Sequence, residues 1–294
     1  MKLTQDDANN VAKMVVNAYL PYKSNDFTVV SSIFSVSNIE NDIQLESLAT
    51  GVKCYPGSSD IVRDCHAEVL SRRAFVHKYI NSIEKPKEVG LFCSSLPCGM
   101  FSIESFNNHS NPPLHDRIIP TIYGNVCRGR EFSNLKQYPR TKPGKRQAKV
   151  LLNMSCSDKI LKWLFVGIQG KRIPDKVELK YLICNQPISS AVLEFLSINF
   201  PKLIVYATNI PMCNSMTHPS SIAMWTDFKD TEHLSNGRKQ GSKEIKDSHG
   251  VLIPKIQSKL TRYHLNILNK NQNAIYLSQL HLFKQWRKGW THSH

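Results

Sequence analysis

The sequence contains no run of about 18 apolar residues, which excludes a membrane-spanning helix. Its opening, Met-Lys-Leu-Thr followed by Asp6 and Asp7, lacks the apolar stretch of a secretory leader. An intracellular protein is therefore expected, in nucleus or cytoplasm, with no membrane partner. Glycine is scarce at 13 of 294 residues and no repeat recurs, which speaks against low-complexity or globally disordered chains. Acidic residues are also in deficit, 23 against 38 Lys+Arg, and the formal charge of +15 favours a polyanionic partner. Eight cysteines, at 54, 65, 93, 98, 127, 156, 184 and 213, are poor disulfide candidates in a reducing compartment and become candidate metal ligands.

Hydrophobic spacing predicts one α/β domain over 1–294. A helix is expected from Asp6 to Tyr22, with Val11, Met14, Val15, Ala18 and Tyr19 on one face. Strands follow at Phe27 to Val36 and 43 to 50, then a helix from about Cys65 to Ile83 and a buried strand from Val89 to Ser95. Periodicity fails from 103 to 149, which reads as a long basic surface loop or insertion. Order resumes with a helix from Ser157 to Val166, strands at Val177 to Cys184 and Leu203 to Thr208, and a helix from Ser189 to Ile198 between them. The tract 227 to 250 looks polar and turn-like, with helices beyond it at Leu260 to Leu268 and Tyr276 to Lys284.

The chemistry concentrates at three places. His66 and Glu68 stand two residues apart at the start of a predicted helix, so an imidazole can bind a metal while the carboxylate reaches water at its open position. Nucleobase deamination needs that pair: zinc acidifies water, and a carboxylate that is not a ligand moves the protons. Cys98, in Pro97-Cys98-Gly99, supplies a thiolate after a strand. The second cysteine of a Pro-Cys-x-x-Cys element is missing, because position 101 is Phe, and Cys156 at a loop-to-helix boundary is the natural replacement. One His and two Cys leave the fourth position of a single catalytic zinc open. Taken alone, the commoner fate of each cysteine is to be a small buried apolar residue.

The words around these residues are similar to those of one family. They are Ala49-Thr-Gly-Val-Lys-Cys54, Asp64-Cys-His-Ala-Glu-Val-Leu-Ser-Arg-Arg73, Leu96-Pro-Cys-Gly99, Arg140-Thr-Lys-Pro-Gly144, Met154-Ser-Cys-Ser-Asp-Lys-Ile160, Lys162-Trp163, Val166-Gly-Ile-Gln-Gly170, Trp225 and Asn236-Gly-Arg-Lys-Gln-Gly241. In this order they resemble the adenosine deaminases acting on RNA, and within them the eukaryotic enzymes specific for tRNA. The resemblance implies His66, Cys98 and Cys156 as zinc ligands, Glu68 as general acid/base, and a cytidine-deaminase-like mixed sheet flanked by helices. It also implies a buried inositol hexakisphosphate held by Arg72, Arg73, Lys159, Trp163, Gln169 and Arg262, with Tyr276 and Trp290 as looser matches. Buried Arg and Lys need such a counter-anion, although Arg72 and Arg73 could instead face solvent. Met100, Val52 and Arg63 depart from the family pattern, where Asp, Thr and Asn are usual.

The resemblance implies hydrolysis of adenosine to inosine in tRNA, at the base 3′ of the anticodon in alanine tRNA. No obligate protein partner is implied. Lys53, Arg140, Lys142 and Lys145 are candidate contacts to RNA phosphates, the basic tract having a solvated charged loop as its alternative. Competing readings are an editor of other structured RNA, a deaminase of free nucleosides, and a non-catalytic RNA-binding protein with structural zinc. The positive charge argues against the second, and a proton-shuttling Glu68 against the third.

Overall fold

The computed structural model describes residues 2–23, 26, 28–37, 42–55, 61–102, 118–121, 124–127, 139–142, 153–212, 219–246, 248–250, 252–261 and 274–286. The first helix, α1 (Gln5–Tyr19), starts at Thr4, whose hydroxyl accepts from the Asp7 amide while the Asp7 carboxylate accepts from the Thr4 amide. Ala8, Val11, Ala12, Val15 and Tyr19 are its buried stripe. Helical spacing extended it to Tyr22, but Pro21 closes Leu20–Tyr22 as a separate 3-10 turn.

The body of the fold is one mixed sheet. β1 (Val29–Val36) and β2 (Ile43–Gly51) pair antiparallel, followed in the chain by α2 (Ala67–Tyr79) and β3 (Glu88–Cys93). α2 is shorter than its periodicity suggested, ending at Tyr79 rather than Ile83. A hairpin of β4 (Ile118–Thr121) and β5 (Gly124–Cys127) lies inside the stretch read as a loop. Then come α3 (Cys156–Val166), β6 (Glu178–Cys184), α4 (Ser190–Asn199), β7 (Ile204–Ala207), β8 (Ile222–Thr226), β9 (Thr231–Ser235), β10 (Arg238–Lys239), β11 (Glu244–Lys246), β12 (Leu252–Pro254) and α5 (Ala274–Trp286). The sheet order is β10-β9-β8-β2-β1-β3-β6-β7, and β3, β6 and β7 run parallel. Parallel neighbours need crossovers, which α3 and α4 provide.

Alternation along the strands divides the core. Phe92, Tyr181 and Ile183 face α1, whereas Leu91, Cys93, Leu182 and Cys184 face the layer containing α2, α3 and α5. The tract 227 to 250 is not merely turn-like, because β9, β10 and β11 form in it. Its short alternation, buried at Glu232 and Leu234, is hidden among polar turn residues. Of the helix expected from Leu260 to Leu268, Leu260 lies in a turn and 262–268 fall outside the described residues. Among the described residues no helix is long and apolar enough to cross a membrane.

Candidate active site

Two helix N-termini converge on the end of β3. His66 is the N-cap residue of α2, with extended backbone (φ −68°, ψ 143°), and Glu68 sits in the first turn. Cys156 opens α3, whose N-cap Ser155 accepts a hydrogen bond from the Asp158 amide. Cys98 lies in the turn after β3, and that turn is stapled to α3. The Ser157 hydroxyl donates to the carbonyls of Pro97 and Cys98, each at 3.0 Å, and accepts from the Phe101 amide at 3.1 Å.

Glycine is required where these segments touch. Gly99 has φ +106°, and a Cβ there would lie 2.3 Å from the Ser155 hydroxyl oxygen. At Gly51, the end of β2, a Cβ would lie 2.4 Å from the backbone nitrogen of Ala67, so only glycine lets the sheet approach the start of α2.

The result is a ligand set of the expected kind. His66 Nδ1 is 3.7 Å from both Cys98 Sγ and Cys156 Sγ, and the three atoms lie within 4.8 Å of one another. Tetrahedral zinc with Zn–N of about 2.0 Å and Zn–S of about 2.3 Å gives N–S edges of roughly 3.6 Å, so both N–S distances match those the ion requires. The Cys156 amide donates to Cys98 Sγ at 3.3 Å. The contact with Cys156, assisted by the Lys142 and His66 charges, holds the Cys98 thiol well below its usual range despite burial. Glu68 is 3% exposed, and among the described residues nothing donates a hydrogen bond to its carboxylate. It lies near the Cys156 and Cys93 sulfurs, placing an unengaged buried acceptor beside the ligand set.

Lys142 is the main correction to the sequence reading. Read there with Arg140 as an RNA contact, it is 6% exposed, and Arg140 is 1% exposed. The segment runs along Asn153–Ser155, through hydrogen bonds from the Lys142 amide to the Asn153 carbonyl and from the Ser155 amide to the Arg140 carbonyl. This pairing turns the Lys142 side chain inward. Its Nζ donates to Cys156 Sγ at 2.7 Å and stands 3.4 Å from Asp64 Oδ1, while Lys159 pairs with the other Asp64 oxygen. Burial pushes the Asp64 carboxyl up, but Lys142 and Lys159 outweigh it and hold the group well below the carboxylate range. Burial likewise opposes the Lys142 ammonium, and Asp64 with the nearby cysteines holds it well above the lysine range. Cys54, also near His66, was not singled out from the sequence as a neighbour of the site.

Lys159 links this pocket to a cationic cradle. The Arg72 guanidinium lies over the Trp163 ring at 5.5 Å and its Nε donates to the Ile168 carbonyl at 2.7 Å. Arg73 donates to the Leu260 carbonyl at 3.3 Å. Burial pushes Arg72 down to about 10, and burial with neighbouring cations lowers Lys162 and Lys284 too. Tyr276 is buried against this group, interacting with Arg72 and Lys162. Crowded cations with depressed pKa values are the donor set a polyphosphate would stabilise, so the chemistry fits an inositol polyphosphate. Lys162 and Lys284 were missed as cradle candidates, the first although its word was noticed, because neither spacing shows which side of α3 and α5 turns inward. Gln169 is differently used: its amide donates to the Val166 carbonyl and accepts from the Val177 amide. Lys53 is exposed, with its ammonium 5.5 Å from the Tyr55 ring centre. Met100 is buried in the core, so that departure puts no side chain into the pocket. Arg262, Trp290 and Lys145 lie outside the described residues.

Residues 82–174 match the adenosine-deaminase (editase) domain. The chain is 27% identical over 206 residues to the tRNA-specific adenosine deaminase 1 of Saccharomyces cerevisiae, covering 51% of this chain and 50% of that one. It is 26% identical over 191 residues to the Schizosaccharomyces pombe protein of the same name, covering 54% and 48%. The double-stranded RNA-specific adenosine deaminase of Mus musculus is 29% identical over 178 residues, covering 46% and 15%. The chain thus spans about half the length of the tRNA-specific relatives it matches. By the domain match and these likenesses, residues 82–174 carry the adenosine-deaminase (editase) signature, and the chain is similar to deaminases that act on RNA.

Proposed function

We propose that this chain hydrolyses adenosine to inosine in tRNA with a single zinc ion held by His66, Cys98 and Cys156. The observation that carries the reading is the buried, unengaged Glu68 carboxylate beside a three-donor ligand set of tetrahedral dimensions. Three protein ligands match a catalytic zinc, whereas a structural site fills the fourth position. When bound, the ion would lower the pKa of water enough to make a nucleophile near neutral pH. Glu68 takes a proton as oxygen attacks C6 of the adenine, delivers it to the ring nitrogen, and completes transfer to the departing amine, so water and adenosine become inosine and ammonia. Lys142 fixes the Cys156 sulfur by its hydrogen bond, and the helix start at His66 orients the imidazole.

The cradle of Arg72, Arg73, Lys159, Lys162, Trp163 and Tyr276 would hold inositol hexakisphosphate as a structural cofactor. The names of the fungal relatives support tRNA as substrate. The net charge supports a polyanion, and an anticodon loop presents a base with little unpairing cost. The adenosine 3′ of the anticodon in alanine tRNA is the proposed position, and the whole of 1–294 is proposed to act as one intracellular editase domain. Incubating metal-loaded protein with a panel of unmodified tRNA transcripts, and mapping inosine in each anticodon loop, tests this directly. Inosine at that position in alanine tRNA is expected; no inosine in any transcript would overturn the reading in favour of another RNA substrate or a binding protein.

A further inference from the structure

We propose that the two-stranded ribbon of β11 and β12, with the stalk that carries it, docks the double-helical stem of the substrate RNA through its phosphates. The inference rests on the deaminase reading for the identity of that RNA. Among the described residues β11 and β12 pair only with each other, in the register Glu244↔Pro254, Ile245↔Ile253 and Lys246↔Leu252, outside the main sheet. The turns at its two ends open outward: a Cβ at Gly241 or Gly250 would meet nothing within 4 Å.

The charges on this ribbon divide into two groups. Arg238 pairs with Glu244, Lys239 lies 3.3 Å from Glu232, and Lys259 lies 2.5 Å from Asp230, so these three brace the stalk against the sheet. Lys243, Lys246 and Lys255 are exposed, and among the described residues no ion pair engages them. Lys243 and Lys255 are backbone neighbours, the amide of the second donating to the carbonyl of the first at 2.7 Å. Lys246 lies about 10 Å further along the strand at the usual rise. Three cations that no described residue neutralises, on so narrow an element, form an electrostatic footprint for a phosphate backbone.

The position of the root ties the ribbon to the pocket. The Val62 amide donates to the Gly237 carbonyl at 2.8 Å, and the Asn236 backbone hydrogen-bonds the Tyr55 side chain. Tyr55 sits beneath Lys53, and Cys54 bridges to Asp64 and lies close to His66. The stalk therefore rises from the loop that borders the ligand set, where a stem would lie when its loop base enters the pocket. A-form stems present a wide, shallow minor groove flanked by phosphates, which suits lysine contacts without base reading.

The test uses the full chain with Lys243, Lys246 and Lys255 all changed to Ala, and a control with Lys2, Lys13 and Lys202, exposed elsewhere, changed to Ala. Binding of full-length tRNA is measured between 50 and 200 mM salt, alongside metal content and thermal midpoint. In the ribbon variant, log affinity should depend on log salt with a slope shallower by about 2.7, and affinity near 0.1 M salt should fall at least about tenfold. Midpoint and metal content should match the wild type, and the control should keep a larger share of both slope and affinity. An unchanged slope, or an equal loss in the control, would overturn the assignment, as would lysine-dependent binding to phosphatidylserine vesicles without binding to tRNA. A wild type that binds tRNA through these lysines yet makes no inosine would break the deaminase reading while leaving the ribbon in place.

Discussion

The two ends of α2 carry the same kinds of side chain and use them in opposite ways. At the C-terminal end every charge is matched. Glu46, 2% exposed, accepts from Ser35, from Lys78 Nζ at 2.6 Å and from the Tyr79 hydroxyl at 2.7 Å. Asp227 accepts from the amides of Lys229 and Asp230 and lies 2.8 Å from His77 Nδ1, whose ring meets Trp225 edge-on. At the N-terminal end Glu68 is equally buried, but among the described residues no donor reaches its carboxylate, and His66 faces two sulfurs. Satisfied polar groups hold the helix to the sheet, whereas the carboxylate that no described donor engages is available for chemistry.

This contrast predicts that the two ends separate activity from stability. Replacing Glu68 with Gln should lower the rate of inosine formation by about 100- to 10,000-fold while the thermal midpoint and bound metal stay close to wild type. A Glu68→Gln protein with normal turnover would remove the distinction altogether. Asp64→Asn attacks the ionic junction behind the ligands. It leaves buried Lys142 and half-buried Lys159 without their shared carboxylate, and chemical denaturation should show a loss of about 3–5 kcal/mol. A loss below about 1 kcal/mol would mean that solvent, not Asp64, neutralises these lysines.

Gly51→Ala sharpens the comparison without altering charge. The added methyl group must displace the Ala67 backbone, so about 1–3 kcal/mol of destabilisation is expected together with weaker metal retention in chelator competition. Normal retention would show that α2 can shift without disturbing His66. At the other end, Asp227→Asn should cost roughly 1–2 kcal/mol and leave turnover per folded molecule unchanged. It should also alter the acid limb. Burial raises the Asp227 carboxyl, but His77 and the two turn amides outweigh it and lower the folded pKa. Its stabilisation is thus complete above the unfolded carboxylate value of about 4 and is lost as pH falls through the lower folded value. Thermal midpoints of wild type and Asp227→Asn should therefore converge on acidification; parallel profiles would assign the stabilisation elsewhere.

Much of this arrangement is legible in the sequence, for identifiable reasons. β3, α2 and α3 carry long, regular apolar patterns, and His66, Glu68, Cys98 and Cys156 lie at their ends, where placement follows from the element boundary. Lys142 is misread because a lysine in a Pro/Gly-rich basic tract looks solvated; only the pairing of 140–142 with 153–155 turns it inward. β9 to β11 escape notice because strands of two to five residues offer too few alternations to register against their polar turns. The cationic cradle is only partly visible, since it needs α5 to be laid against α3, and no local pattern encodes that docking.

His66, Cys98 and Cys156 are separated by 32, 58 and 90 residues along the chain. No local segment can preassemble such a set: the Cys98 turn meets α3 only once the chain between them has closed. Loop closure and parallel pairing are slow because their entropy is lost before their contacts form. Capture of the proposed metal would then await that closure, and the rate at which the chain becomes competent to hold an ion would time the completion of its topology.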